Sequence, residues 1–428
     1  MTTHRYLIAL VDGGGTVPVE LGVVRRLVDR GHHVTVLAED SMGEDVAATG
    51  ATFRRWATAP NRPDRRPEND PYRDWECKGT RQLFTRLLDK QFAGPLPEYA
   101  GDVTAAIAEQ RPDLVVCSQF CFGAMVAAEA AAIPFDVLLP NIYLFPVAGS
   151  TPFGLGMQPA AGSFGRTRDR LLQAVTQRLW DKGLARLNGL RAERGLEPLR
   201  HFLDQPQRAR RQLVFTSPAF DFPIPGLSDS VRYVGPVLDD PRWASDATTD
   251  WAPPPGDDPL VLVGLSSTFQ DHAATLQRIV DALATLPVRG LVTTGPALAP
   301  GAITPAPNVV VVANAPHTVV LEHAAIVVTH GGHGTVVKAL AADVPLVVLP
   351  HGRDQLDNAV RVTSRGAAVA VKRTATSAMI AAAVRDVLHD QRYHDAAARL
   401  GAAIRADAAA TSVLDELEDL SLAVSSGR

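Results

Sequence analysis

Residues 329–335 read T-H-G-G-H-G-T, after an apolar run and at the head of an apolar helical pattern. Glycines at a strand-to-helix turn let backbone N–H groups approach an anion, and the helix N-terminus adds partial positive charge. Thr335 adds a hydroxyl donor. His330 and His333 can donate to phosphate oxygens when protonated or in the right tautomer. This chemistry suits a diphosphate, held by Gly331, Gly332, Gly334 and their neighbours. H-x-x-H alone, with no Cys or carboxylate beside it, does not point to a metal, and no metal site is expected. A turn of satisfied histidines without a ligand is the bland alternative.

Two more turns fall at comparable places. Residues 350–358 read P-H-G-R-D-Q-L-D-N. Asp354 and Gln355 form a carboxylate–amide pair that can grip sugar hydroxyls, although Asp354 could equally cap a helix. Residues 264–271 read G-L-S-S-T-F-Q-D, where Ser266, Ser267 and Thr268 offer phosphate contacts or ordinary capping. Near the start, residues 12–18 read D-G-G-G-T-V-P. Glycines such as Gly14 permit close approach to a substrate. The run does not match G-x-G-x-x-G, which disfavours a nicotinamide-dependent enzyme.

These turns need strands that end at them. In the first half, strands are expected over 6–11, 33–38, 114–117, 135–139 and, last, 212–216, with helices over 18–30 and 122–132. In the second, strands are expected over 260–263, 290–294, 309–312, 326–329, 346–349 and 367–371. Helices are expected there over 273–284, 333–342, 355–365 and 377–389, and a C-terminal helical stretch over 393–424. Serial βα units imply an α/β fold, each half a parallel sheet covered on both faces. Residues 239–258, rich in Pro, Asp, Ser and Thr, read as a linker pinned by Trp243 and Trp251. The expected division is 1–238, the linker 239–258, 259–405, and a final helix over 406–428.

Two long segments, 56–80 and 141–167, break the βα rhythm and should emerge at carboxyl ends of strands, where open α/β sheets bind ligands. The second carries Tyr143, Phe145, Phe153, Met157 and Phe164 among glycines and prolines. Such a loop either lines a pocket for a flat, greasy acceptor or is anchored by its aromatics.

A chain of 428 residues, 46% hydrophobic and 21% charged, fits two domains. A net charge of −4 argues against a nucleic-acid partner, and the basic run at 207–212 reads as a solvated local patch. Three cysteines suit a reducing compartment, and Cys117 and Cys121 read as small hydrophobes. No secretory signal or membrane span is expected, so the chain is read as cytoplasmic with no membrane partner.

Taken together, the motifs resemble the GT-B-fold glycosyltransferases that use nucleotide-diphospho-sugars, most of all actinobacterial enzymes that glycosylate natural products. The resemblance runs along nearly the whole chain. It rests on N-A-P-H at 314–317, H-G-G-H-G-T at 330–335 and D-Q at 354–355. The spacing from His330 to Gln355 is the same as in the signature of the plant members, and the segment before His330 is about two residues shorter than theirs. The resemblance implies two Rossmann-like domains facing across a cleft, with the donor in the C-terminal half and the acceptor in the N-terminal half. Ala315 and His317 would flank the base. His330, Gly332, Gly334 and Thr335 would hold the diphosphate with Ser266 and Ser267, and Asp354 and Gln355 the sugar. It also implies an inverting, metal-independent transfer, with a UDP- or dTDP-sugar as co-substrate and no other cofactor.

Three positions depart from the family pattern. Thr16 stands where the usual catalytic His would be, and Ser118 where its partner carboxylate would follow strand 114–117. Lys338 replaces a ribose-contacting Glu, which favours a deoxyribose donor. The base is therefore open among Asp12, Thr16, Asp136 (whose burial would raise its pKa) and an acceptor ionised enough to need none. The missing dyad also leaves open a weakly catalytic nucleotide-binding partner protein, or an epimerase or hydrolase on the same fold. Acceptor identity, linkage and oligomeric state, a homodimer included, are not legible.

Overall fold

The structure, a computed structural model, describes residues 2–240, 252–266, 268–295, 298–299, 301–410 and 413–420. Its first sheet is built from β1 (Arg5–Ala9), β2 (His33–Ala38), β3 (Thr52–Arg55), β4 (Leu114–Ser118), β5 (Phe135–Leu139), β6 (Arg211–Val214) and β7 (Val231–Tyr233). The order is β3-β2-β1-β4-β5-β6-β7 and every paired ladder is parallel. The second sheet holds β8 (Leu260–Gly264), β9 (Arg289–Thr293), β10 (Val309–Val312), β11 (Ala324–Thr329), β12 (Leu346–Val348) and β13 (Ala368–Ala370). Its order is β10-β9-β8-β11-β12-β13, again parallel.

Central strands such as β4 (LVVCS) and β8 (LVLVG) are buried at every residue, because helices cover both faces of each sheet. Both sheets reverse their winding once, between β1 and β4 and between β8 and β11. The crevices at those reversals lie beyond the carboxyl ends of the strands, where such sheets take ligands. The GT-B expectation of two Rossmann-like sheets holds.

Some expectations change in detail. β3 (TFRR) and β7 (VRY) carry too little apolar character to read as strands, being edge or near-edge strands with only one well-covered flank. The segment read as a loop over 141–167 ends in a helix, Ser163–Trp180, whose only buried residue is Asp169 and whose Phe164, Leu171 and Val175 stay exposed. The linker expectation, with Trp243 and Trp251, falls largely on 241–251, outside the described residues. Its first residues reach both halves: Asp239 accepts from Arg26 at 3.0 Å and Asp240 from Lys338 at 2.8 Å.

The C-terminal stretch is two helices. Gln391–Ala410 packs Ala397, Leu400 and Ile404 into the second core. Val413–Glu418 then buries Val413, Leu414 and Leu417 against Tyr6, Ile8 and Val24 of the first. Among the described residues no helix is long and apolar enough to cross a membrane.

Candidate active site

The carboxyl ends of β8 to β12 converge on one cavity of about 1070 Å³, which the first half closes from the other side. At the β11 turn Gly331 has φ +93°, and a Cβ there would fall 2.8 Å from Val348. Only glycine turns the chain so sharply against β12. His330, Gly332, His333, Gly334 and Thr335 line the cavity, and helix His333–Ala341 opens at it with its N-terminus, whose first N–H also meets the Asp354 carboxylate. Gly331 itself is scaffold: its carbonyl accepts from Asn358 Nδ2 at 2.9 Å.

Burial keeps these histidines neutral. Desolvation holds His330 well below the usual imidazole range and His333 and His317 down at about 4. Each therefore offers a single ring N–H, and the idea of protonated donors gives way to neutral ones. Nε2 of His333 already pairs with Thr216 Oγ1 at 2.8 Å, so its ring serves the contact between the halves rather than an anion. Ala315 and His317 sit beyond β10 on the cavity wall, and His317 Nε2 pairs with Thr293 Oγ1 at 3.1 Å. A Cβ at Gly264 would lie 2.8 Å from the His317 ring, so that glycine makes room for it.

Asp354 precedes helix Gln355–Ser364 without capping it by its side chain. One carboxylate oxygen accepts from Asn358 at 2.8 Å, and the residue lines the cavity. Gln355 is more committed than expected. Its Oε1 accepts from the His351 and Gly352 N–H groups at 2.7 and 3.1 Å, and its Nε2 donates to Gln270 at 3.1 Å. Gln270 in turn donates to Ser266 Oγ at 2.8 Å. Ser266 and Thr268 line the cavity, while Ser267 lies outside the described residues.

The first half supplies an apolar wall. Tyr143, Phe145 and Phe153 line it, as expected for the loop after β5. Met157 does not, and Gly14 does not either: with φ +71°, its missing Cβ leaves room for Thr268 of the second half, 2.4 Å away. The close approach that this glycine permits is between halves, not to an acceptor. The loop tip is gripped from across the cleft, where Asp357 accepts from the Gly154 N–H and from the Gly156 N–H at 3.0 Å.

The candidate bases sort sharply. Asp136 is the second residue of β5, at the amino end of the sheet, where Arg210 donates to it from Nε at 3.0 Å. Burial raises its pKa to about 6, but it stands away from the cavity and cannot meet an acceptor. Asp12 lines the cavity with its oxygens filled by Gly14 N–H (3.0 Å), Ser41 (3.3 Å) and Arg65 (2.8 Å). Arg62 and Arg65 outweigh its burial and hold its pKa below the usual carboxylate value, which makes it a turn former and a poor base. Thr16 is on the wall; Ser118, at the end of β4, is wholly buried behind it.

The 4'-demethylrebeccamycin synthase of Lentzea aerocolonigenes is 30% identical over 427 residues, covering 97% of this chain and 99% of that one. The chain belongs to the natural-product glycosyltransferases of the GT-B fold. Residues 277–420 of this glycosyltransferase also match the family model of the erythromycin biosynthesis protein CIII-like C-terminal domain. The solved glycotransferase of kitacinnamycin superposes with a TM-score of 0.75 at 24% identity, covering 98% of this chain and 100% of that one. A spinosyn rhamnosyltransferase complexed with thymidine diphosphate gives 0.67 at 18%, covering 97% and 100%. As a member of its family, the glycosyltransferase moves a sugar to a small-molecule acceptor.

Sequence reasoning missed three parts of this glycosyltransferase's site. Trp75, Phe84, Phe92, Phe120 and Trp180 complete the aromatic wall, contributed by segments scattered over a hundred residues. Arg353, with φ +56°, is the one cation of the P-H-G-R-D-Q turn and also lines the cavity. Glu20, on helix Val17–Asp29, is fully buried beside Thr16 and Ser118.

Proposed function

We propose that this glycosyltransferase is inverting and metal-independent, and takes its sugar from a dTDP-sugar more readily than from a UDP-sugar. The acceptor is a large, flat, hydrophobic molecule. The observation that carries the reading is the single cavity that joins the β11 glycine turn to the aromatic wall. A donor diphosphate on the β11 turn meets backbone N–H groups, the His330 ring and Arg353, which can take up leaving-group charge without a metal. Asp354, on the cavity wall, offers remaining carboxylate lone pairs to sugar hydroxyls. An acceptor on the aromatic wall then reaches the anomeric carbon from the far side, and a single displacement inverts it.

The nucleotide preference rests on Lys338. Its Nζ donates to Asp240 Oδ1 at 2.8 Å, and Asp240 Oδ2 accepts from Thr318 N–H and Oγ1 at 2.9 and 2.7 Å. At position 338 a lysine tied to Asp240 thus stands in place of a carboxylate for paired ribose hydroxyls, which suits a 2'-deoxyribose.

The test is a product screen of dTDP- and UDP-sugars against polycyclic aromatic, phenolic and macrocyclic acceptors. A glycoside of inverted anomeric configuration, formed in the presence of chelator, supports the reading. Release of free sugar or an epimer without any glycoside overturns it.

A further inference from the structure

Three buried polar groups meet at the floor of the cavity, at the winding reversal of the first sheet. Glu20 follows Thr16 by one helical turn, its N–H donating to the Thr16 carbonyl at 3.1 Å, so both side chains share one helix face. Ser118 ends β4, next to β1 from which the Thr16 turn emerges. The Glu20 carboxyl faces both hydroxyls. Beyond one another, neither the Glu20 oxygens, nor Thr16 Oγ1, nor Ser118 Oγ has a hydrogen-bond partner among the described residues. Native proteins give buried polar atoms outside partners, and a cluster that has none and reaches the cavity through one member is placed to meet a substrate.

Only Thr16 of the three is on the cavity wall. A Cβ at Gly13 would come within 2.7 Å of Thr16 Oγ1 and 2.8 Å of the Phe120 ring, so glycine there leaves space at the hydroxyl. The Glu20 carboxyl, on the helix, stands within reach of both the Thr16 and the Ser118 hydroxyls.

We propose that Thr16 touches the acceptor nucleophile and that Glu20, acting through Thr16 as a positioning residue, takes up the relayed proton. The idea rests on the transferase reading above and completes it. The acceptor O–H proton passes to Thr16 Oγ1 as the Thr16 hydroxyl proton passes to the Glu20 carboxylate. The acceptor oxygen's electron pair forms the new bond to the anomeric carbon. The bond from that carbon to the diphosphate oxygen breaks, and its pair leaves on the nucleoside diphosphate. After the product leaves, Glu20 returns its proton by way of the Thr16 hydroxyl to solvent in the cavity.

The surroundings fit this role. Burial, with the nearby Asp12 charge, lifts the Glu20 pKa to about 8, against the smaller pull of the Ser118 and Thr16 hydroxyls. A base with a pKa near working pH is the most effective. The other ionisable groups around it are Asp12, whose charge is matched by Arg62 and Arg65, and the buried Cys121 thiol. Among the described residues no cation pairs with Glu20.

The experiment compares the parent with Glu20→Gln, Glu20→Asp and Thr16→Val, using phenols of graded acidity and the donor that the screen identifies. In the parent, kcat should rise with pH through a limb near 8. Glu20→Gln should lose that limb and at least a hundredfold in kcat toward weakly acidic phenols, with donor KM unchanged. The deficit should shrink to a few-fold for the most acidic phenols, which need no proton removed. Glu20→Asp should keep part of the limb. A structural role would instead lower all acceptors equally. If Glu20→Gln does not fold, Thr16→Val must show the same acceptor-dependent deficit. Equal pH profiles in parent and variants overturn the relay alone. A parent that binds nucleotide but glycosylates nothing overturns the transferase reading and the relay with it.

Discussion

Arg353 and Asp74 lie 279 positions apart in the chain and 2.8 Å apart in space, Nε of the one donating to Oδ2 of the other across the cleft. The same guanidinium donates from Nη1 to Thr268 Oγ1 at 2.8 Å. The loop after β3 is thereby tied to the donor turns by a side chain that also faces the place assigned to the diphosphate.

Arg353→Ala should weaken dTDP binding by about tenfold, the worth of a charge-assisted contact to phosphate. Asp74→Asn should leave that affinity within about twofold, since it removes the tie and not the cation. Calorimetric titration of both variants separates the two roles.

Lys338→Glu should move nucleotide preference toward UDP. The substitution breaks the ion pair with Asp240 and restores an acceptor for ribose hydroxyls. The ratio of the UDP and dTDP dissociation constants is expected to fall by roughly fivefold or more, on the scale of one hydrogen bond to a charged group.

The buried histidines predict acid lability. His272, His317, His333 and His351 are lowered by burial from 6.5 to about 4, and burial lowers His330 as well. The unfolded chain binds protons there that the folded chain refuses. Stability is therefore full above pH 6.5 and is lost as pH falls toward 4. Thermal unfolding should show a Tm nearly flat above neutrality and falling steeply below pH 6.5, with a slope of more than one proton.

Glu20 predicts the opposite window. A carboxyl raised from 4.5 to about 8 in the folded state contributes stability below pH 4.5 and loses it as pH rises to 8. Glu20→Gln should match the parent's Tm near pH 4.5 and exceed it by roughly 2–4 °C at pH 8.5. Equal Tm differences at both pH values would contradict this.

Asp357 holds the acceptor loop through the N–H groups of Gly154 and Gly156. Asp357→Ala should raise acceptor KM about tenfold with a smaller change in kcat, since the loop shapes the pocket rather than the chemistry. Faster hydrogen exchange at Gly154 and Gly156 would accompany it.

The donor turns were legible because each is contiguous: a strand, its turn and its helix fall within a dozen residues, and glycine marks the places where a Cβ would collide, as at Gly331 against Val348. The acceptor wall was only half legible. Tyr143, Phe145 and Phe153 share one loop, whereas Phe92 meets Trp180 edge-on at 4.9 Å through tertiary folding alone. Asp136 misled because burial alone does not say which end of a strand a residue occupies. Gly14 misled because a close backbone approach can serve another part of the same chain. Glu20 was invisible for a simpler reason: a Glu in a helix is ordinarily read as its solvated face, and only packing shows that this one is buried.

The last helix carries a consequence for recombining such enzymes. Leu414 and Leu417 belong to the same core as Tyr6 and Ile8, and Asp407 accepts from the Ser217 hydroxyl just before that helix. The first half is thus built from two stretches of chain with the whole second sheet between them. A chimera spliced once, between the sheets, would pair one parent's core with another parent's closing helix. Grafts that exchange acceptor range while keeping the donor need two crossovers, the second before Val413.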